Sequence, residues 1–150
     1  MKLNRDFHEF LQFFVAHEVR FLVVGGYALA IHGHPRYTKD LDVWVWADPA
    51  NAQRAMAALE AFGFGGLGLT VDDITDGDSI IQLGREPQRI DIMTFASGLE
   101  FVGAYERRVE VDIDGVSIPF LSLEDLRTNK GATGRLRDAA DVADLPPPSV

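Results

Sequence analysis

Phe21-Leu22-Val23-Val24-Gly25-Gly26-Tyr27-Ala28-Leu29-Ala30, followed after a short gap by Arg36-Tyr37-Thr38-Lys39-Asp40-Leu41-Asp42-Val43, is the stretch on which the fold turns. The apolar run 21–24 ends at a glycine pair and reads as a buried strand. Tyr27 to Ile31 then reads as a helical turn that starts at the glycines and stops near Gly33. Leu41 to Trp46 is a second strand, opened by Asp40 and Asp42. Side chains at i and i+2 of a strand share a face, so the two carboxylates converge. Like charges at that spacing repel unless a cation lies between them. Hard oxygen donors suit Mg²⁺, usually held together with substrate phosphates. The glycines let backbone N–H groups approach an anion closely. A phosphate cradle beside a dicarboxylate is what nucleoside triphosphate chemistry requires.

Working outward, Phe7, Phe10, Leu11 and Phe14 fall at i, i+3, i+4 and i+7, the pattern of an amphipathic helix capped by Asn4 or Asp6. Asp48-Pro49 starts a third helix, running from Ala50 to Phe62 and stopping at Gly63. Gly63 to Asp78 is rich in glycine and aspartate and reads as a loop with at most one short strand. Ser79 to Leu83 and Arg89 to Met93 are strands, and Phe101 to Arg107 is a short helix. Asp114-Gly115 between Val109–Ile113 and Val116–Phe120 is a hairpin signal. Ser122 and Asp125 resemble a capping box for a helix running to about Lys130. A last helix covers Arg135 to Leu145, and Pro146-Pro147-Pro148 begins a disordered tail. The expectation is a single domain over 1–145 with a Pro-rich tail at 146–150. Its class is α/β (α+β), a mixed sheet flanked by helices.

The chain has 150 residues, no cysteine and a formal net charge of −9. Thiolate metal sites and disulfides are therefore excluded, which fits a cytoplasmic protein. No signal-peptide h-region or membrane-length apolar run is present, so no membrane partner is expected. The acidic balance disfavours non-specific attachment to a long polyanion and suits a nucleotide carried with a cation. His32 and His34 have no third obvious ligand, so zinc is not expected. Asp72, Asp73, Asp76 and Asp78 lack the spacing of a calcium loop and read as a solvated segment. Trp44 and Trp46 read as core, with either one able to border a base pocket.

Taken in order, Gly25-Gly26, Asp40-x-Asp42 and Asp91 within Arg89-Ile90-Asp91-Ile92-Met93 resemble the nucleotidyltransferase superfamily of the DNA-polymerase-β type. Leu123, Glu124, Asp125, Leu126, Lys130, Arg135, Arg137, Asp138 and Asp141 resemble the helical Lys-and-Asp motif of its minimal bacterial members, near the AbiEii-type toxin proteins. The match spans about Leu3 to Leu145. Many members place a serine directly after the first glycine; here Tyr27 follows the pair, so backbone donors carry more of the phosphate contact.

The resemblance implies transfer of a nucleoside monophosphate from an NTP to an acceptor hydroxyl with release of pyrophosphate. It implies two Mg²⁺ ions, with Mn²⁺ as an alternative, held by Asp40, Asp42 and Asp91. Asp91 would also take the acceptor's proton. Gly25, Gly26, Arg36, Thr38 and Lys130 are the implied phosphate contacts, and Asp138 either orients Lys130 or binds the nucleotide. The implied acceptor is an RNA 3′ end or a protein, with a cognate toxin or antitoxin as partner. Two alternatives stay open: a non-catalytic nucleotide- or partner-binding module of the same fold, and an aminoglycoside-type antibiotic nucleotidyltransferase. Lys130 also has the ordinary reading of a cation complementing a helix end.

Overall fold

The computed structural model describes residues 3–33, 39–84 and 88–132. Helix α1 (Arg5–Ala16) starts where the Asn4 side chain accepts the Phe7 N–H at 2.9 Å, so Asn4 rather than Asp6 is its cap. Phe7, Phe10, Leu11 and Phe14 are fully buried. Each contributes roughly 1.5–3 kcal/mol of gross transfer free energy. Strand β1 (Phe21–Val24) runs directly into helix α2 (Gly25–Ile31). Strand β2 (Leu41–Val45) is one residue shorter than its apolar run, and Asp40 lies just before it. Helix α3 (Pro49–Leu59) has Asp48 as N-cap and Pro49 in its first turn.

The segment expected as a loop departs from that reading. A π-helical turn (Glu60–Phe64) follows α3, broken at Gly63 with φ 112°, and helix α4 (Val71–Thr75) replaces any strand. Phe62 and Phe64 hold this region down: Phe62 meets Phe10 and Phe13 edge-on at 5.5 and 5.6 Å between centroids. Thr70 and Asp73 form the reciprocal capping box of α4, so Asp73 has a structural task.

The rest follows the sequence more closely. Strands β3 (Ile80–Leu83) and β4 (Ile90–Met93) pair antiparallel, and helix α5 (Phe101–Glu106) follows. Strands β5 (Val109–Ile113) and β6 (Val116–Phe120) form the expected hairpin, with Asp114 and Gly115 both at positive φ as a type I′ turn requires. Helix α6 (Leu123–Ala132) is capped by Ser122, whose Oγ accepts the Asp125 N–H at 3.1 Å. Only that half of the expected box forms, because the Asp125 carboxylate is instead buried against Arg107. The helix at 135–145 and the tail at 146–150 lie outside the described residues.

The sheet has six strands in the order β3-β4-β2-β1-β6-β5, parallel at β2/β4 and β1/β6 and antiparallel elsewhere. Register and the two-residue alternation of a strand sort its side chains into two faces. Phe21, Val23, Val43 and Ile92 share one face, where Phe14 of α1 packs on Phe21. Leu22, Val24, Asp42, Trp44, Asp91 and Met93 share the other, where Phe101 of α5 packs edge-on against Trp44. The second face is thus apolar at one end and carboxylic at the other. Buried Asn51 fixes the apolar end. Its amide accepts the Arg20 N–H at 2.7 Å and donates to the Arg20 and Trp46 carbonyls, tying β1, β2 and α3 together.

Candidate active site

The carboxylic end of that face is built by three chain segments. In the parallel β2/β4 pair Asp42 stands directly opposite Asp91, so the two carboxylates leave the sheet side by side. Asp40 reaches the same cluster through its hydrogen bond from the Arg89 N–H, at 3.3 Å. Asp91 is buried, at 8% exposure.

Arg89 is the residue that reading the sequence left without a role. Its Nε and Nη2 donate to the two oxygens of Asp91 at 2.7 and 3.0 Å, and Nη2 lies 3.3 Å from Asp40 Oδ2. One guanidinium therefore neutralises two of the three carboxylates, in the bidentate geometry for which arginine is suited. The signal was in the sequence: Arg89 and Asp91 stand at i and i+2 and share a strand face.

Asp42 sits in a harsher setting. Burial, and then the negative charge of Asp91, push its pKa from 3.8 up to about 7, against the opposing pull of Lys130 and Arg89. A group in that condition gains most from an added cation. Beneath it lies Gly25, at φ 69°, and a Cβ placed there would overlap Asp42 Oδ2. The glycine is thus required twice, by its backbone angle and by the close approach of the carboxylate. Gly26 follows it in the first turn of α2.

Helix α6 closes the site from above. It packs on α2, and the charge of Lys130 acts on Asp42. One turn earlier, Arg127 holds Nε and Nη2 buried with no hydrogen-bond partner among the described residues. Unmade hydrogen bonds of this kind cost about 1–3 kcal/mol each. The structure thus brings together Asp40, Asp42, Asp91, Gly25 and Lys130. Arg36, Thr38 and Asp138 lie outside the described residues. His32 is engaged elsewhere, its Nε2 donating to the Leu121 carbonyl at 2.9 Å. Trp44 and Trp46 pack on Phe101 at the far end of the face, away from the carboxylates.

Among the described residues no group of three or more His, Cys, Asp or Glu side chains is placed to hold a metal ion as they stand, and Arg89 lies among the aspartates. The donor set itself fits a hard divalent cation. It consists of carboxylate oxygens, two of them register partners, and burial beside a like charge makes one of them hold its proton to about pH 7.

A six-stranded mixed sheet flanked by helices is a fold this chain shares with solved nucleotidyltransferase structures. A crystal structure of a Thermotoga maritima protein assigned to the nucleotidyltransferases superposes with a TM-score of 0.64 at 19% identity, covering 93% of this chain and 89% of that one. The lincomycin-bound structure of the lincosamide antibiotic adenylyltransferase LnuA superposes with a TM-score of 0.56 at 16% identity, covering 94% of each chain. At these identities the likeness is one of fold. No curated protein matches the chain. The family model for nucleotidyltransferases of unknown function, DUF6036, matches residues 2–145, and the chain belongs to that family. Among the described residues no helix is long and apolar enough to cross a membrane.

Proposed function

We propose that this chain transfers a nucleoside monophosphate from an Mg²⁺-bound NTP to an acceptor hydroxyl, with Asp40, Asp42 and Asp91 as the metal-holding carboxylates. The observation that carries the reading is the register pairing of Asp42 with Asp91 above Gly25, on one sheet face. The bond formed joins the acceptor oxygen to the α-phosphorus; the bond broken releases pyrophosphate, and the hydroxyl proton passes to a carboxylate. Two divalent cations, Mg²⁺ or Mn²⁺, supply charge neutralisation of the triphosphate and a lowered pKa for the acceptor hydroxyl.

The chain's own groups do the positioning, which is most of what phosphoryl chemistry asks of a protein. Gly25 and Gly26 offer backbone N–H groups at the start of α2, and Lys130 brings a positive charge over Asp42. Arg36 and Thr38 are proposed phosphate contacts, and Asp138 orients Lys130 or meets the nucleotide. Asp91 receives the acceptor proton once Arg89 has released its oxygens. Resemblance to AbiEii-type proteins supports an RNA 3′ end or a protein hydroxyl as acceptor, and a toxin–antitoxin partner.

One observation favours a second reading. Arg89 forms ion pairs with both Asp40 and Asp91, an arrangement that also suits a non-catalytic nucleotide- or partner-binding module in which these carboxylates serve stability. Calorimetry with each NTP and Mg²⁺ separates the two when combined with pyrophosphate release in the presence of tRNA or lysate. Release that disappears in Asp40→Ala/Asp42→Ala supports transfer. Binding that survives this double substitution, with no release from the unaltered protein, supports the module.

A further inference from the structure

The arginines around α6 divide sharply. Arg107 donates to Asp125 at 2.9 Å, Arg108 to Glu110 at 2.6 Å, and Arg89 to Asp91. Arg127 makes no hydrogen bond or ion pair to any described residue, although its Nε and Nη2 are closed off from solvent. Their planar, parallel N–H pair is the edge that accepts two oxygens of a carboxylate or phosphate. A guanidinium edge that is desolvated and empty as it stands gains hydrogen bonds by turning toward an anion.

Position on the helix sets Arg127 beside Lys130. At 100° per residue, Asp125, Thr128, Asn129 and Ala132 take one flank of α6. That flank meets Arg107, the Ser97 carbonyl and Gly98. Leu123, Arg127 and Lys130 take the other flank. Arg127 and Lys130 are neighbours at i and i+3, about 4.5 Å apart along the axis. Lys130 is the residue whose charge reaches Asp42, and α6 packs on α2, which begins at Gly25.

We propose that Arg127 is a second cationic contact for the polyphosphate of the nucleotide, holding the β- and γ-phosphates by its Nε/Nη2 edge while Lys130 stands nearer the carboxylates. This rests on the NTP reading above and extends it to a residue that the family resemblance did not supply. The side chain is half-buried, and no described polar partner fixes its present rotamer. It turns its empty edge to the phosphates, and the hydrogen bonds gained exist only in the polyphosphate complex. Arg127 therefore discriminates a triphosphate, or free pyrophosphate, from a nucleoside monophosphate.

Calorimetry with Mg²⁺ tests this, comparing the best-bound NTP, its NMP and inorganic pyrophosphate on the unaltered chain, Arg127→Gln and Arg127→Lys. The expected result is a loss of about tenfold or more for NTP and pyrophosphate in Arg127→Gln, with NMP affinity unchanged. Arg127→Lys should recover part of the loss, and the melting temperature without ligand should stay level or rise. Equal weakening of all three ligands together with a lower melting temperature would show an internal structural contact and overturn the proposal, as would unchanged NTP and pyrophosphate binding in Arg127→Gln. If the unaltered chain bound neither NTP nor pyrophosphate, the NTP reading itself would fall and this inference with it. If Arg127→Gln does not fold, the NTP-to-NMP affinity ratio of Arg127→Lys decides.

Discussion

Replacing Asp42 by asparagine should make the protein more stable and less active, and the gain should depend on pH. Burial and the charge of Asp91 raise the Asp42 carboxyl from 3.8 to about 7. Between those values the folded chain keeps a proton that the unfolded chain has released. The resulting stabilisation is fully present below about pH 4 and is lost as pH rises through 7. At 1.36 kcal/mol per pH unit, a rise of about three units corresponds to roughly 4 kcal/mol lost above pH 7, as an upper bound. Solvent at the half-open site screens part of this, leaving roughly 2–4 kcal/mol. The asparagine side chain has nearly the same shape as the aspartate and no charge to desolvate. At pH 8 in EDTA the Asp42→Asn variant should melt roughly 5–15 °C above the natural sequence, at 2–4 °C per kcal/mol for a chain of this size. At pH 5, about one unit above the unfolded pKa, only about a third of that gain should remain, and the two should coincide below about pH 4. Scanning calorimetry at both pH values decides it. A gain equal at pH 5 and pH 8, or no gain at pH 8, would refute the electrostatic account of the site.

Three further substitutions probe the same construction. Gly25→Ala places a Cβ against the Asp42 carboxylate at a positive φ, and should cost roughly 2–4 kcal/mol in urea unfolding while abolishing nucleotide binding. Arg89→Gln removes the guanidinium shared by Asp40 and Asp91. It should lower stability in EDTA by about 1–3 kcal/mol and raise the melting-temperature gain produced by Mg²⁺ alone. An EDTA melting temperature equal to that of the natural chain would show that Arg89 is not the standing counter-charge. Asn51→Ala strands the Arg20 N–H and two carbonyls at the far end of the sheet. It should cost roughly 3–4 kcal/mol in urea unfolding and leave nucleotide affinity unchanged in the folded protein.

Much of this molecule is written in local pattern. The spacing of Phe7, Phe10, Leu11 and Phe14 fixes α1, and Asp114-Gly115 fixes the β5/β6 turn, because both depend on residues close in the chain. The convergence of Asp40 and Asp42 was legible in their i, i+2 spacing, although Asp40 lies just before β2 and reaches the cluster through Arg89. Partnership between segments far apart was less legible. The Asn51 amide meets Arg20 across 31 positions, and neither neighbourhood announces the other. Arg89 showed its i, i+2 relation to Asp91, but its second contact, to Asp40, comes from the β2/β4 register. Helix α4 was hidden because glycine and aspartate dominate the stretch around it, and its Thr70/Asp73 box is shorter than the apolar pattern by which helices are recognised. Asp125 reads as half of a capping box in sequence and is diverted in the fold by Arg107, whose pKa the hydrogen bond raises. The empty edge of Arg127 has no sequence signal at all, since only packing closes an arginine's Nε and Nη2 off from solvent with no partner among the described residues.

The most direct test of the central claim is a double-label transfer experiment. The protein is incubated with Mg²⁺, tRNA or lysate, and NTP carrying label at either the α- or the γ-phosphate. Label from the α-position should appear on an RNA or protein band, label from the γ-position should leave as pyrophosphate, and Asp40→Ala/Asp42→Ala should abolish both. Transfer of the γ-label to the acceptor, or α-transfer that survives the double substitution, would contradict a nucleotidyltransferase built on these aspartates.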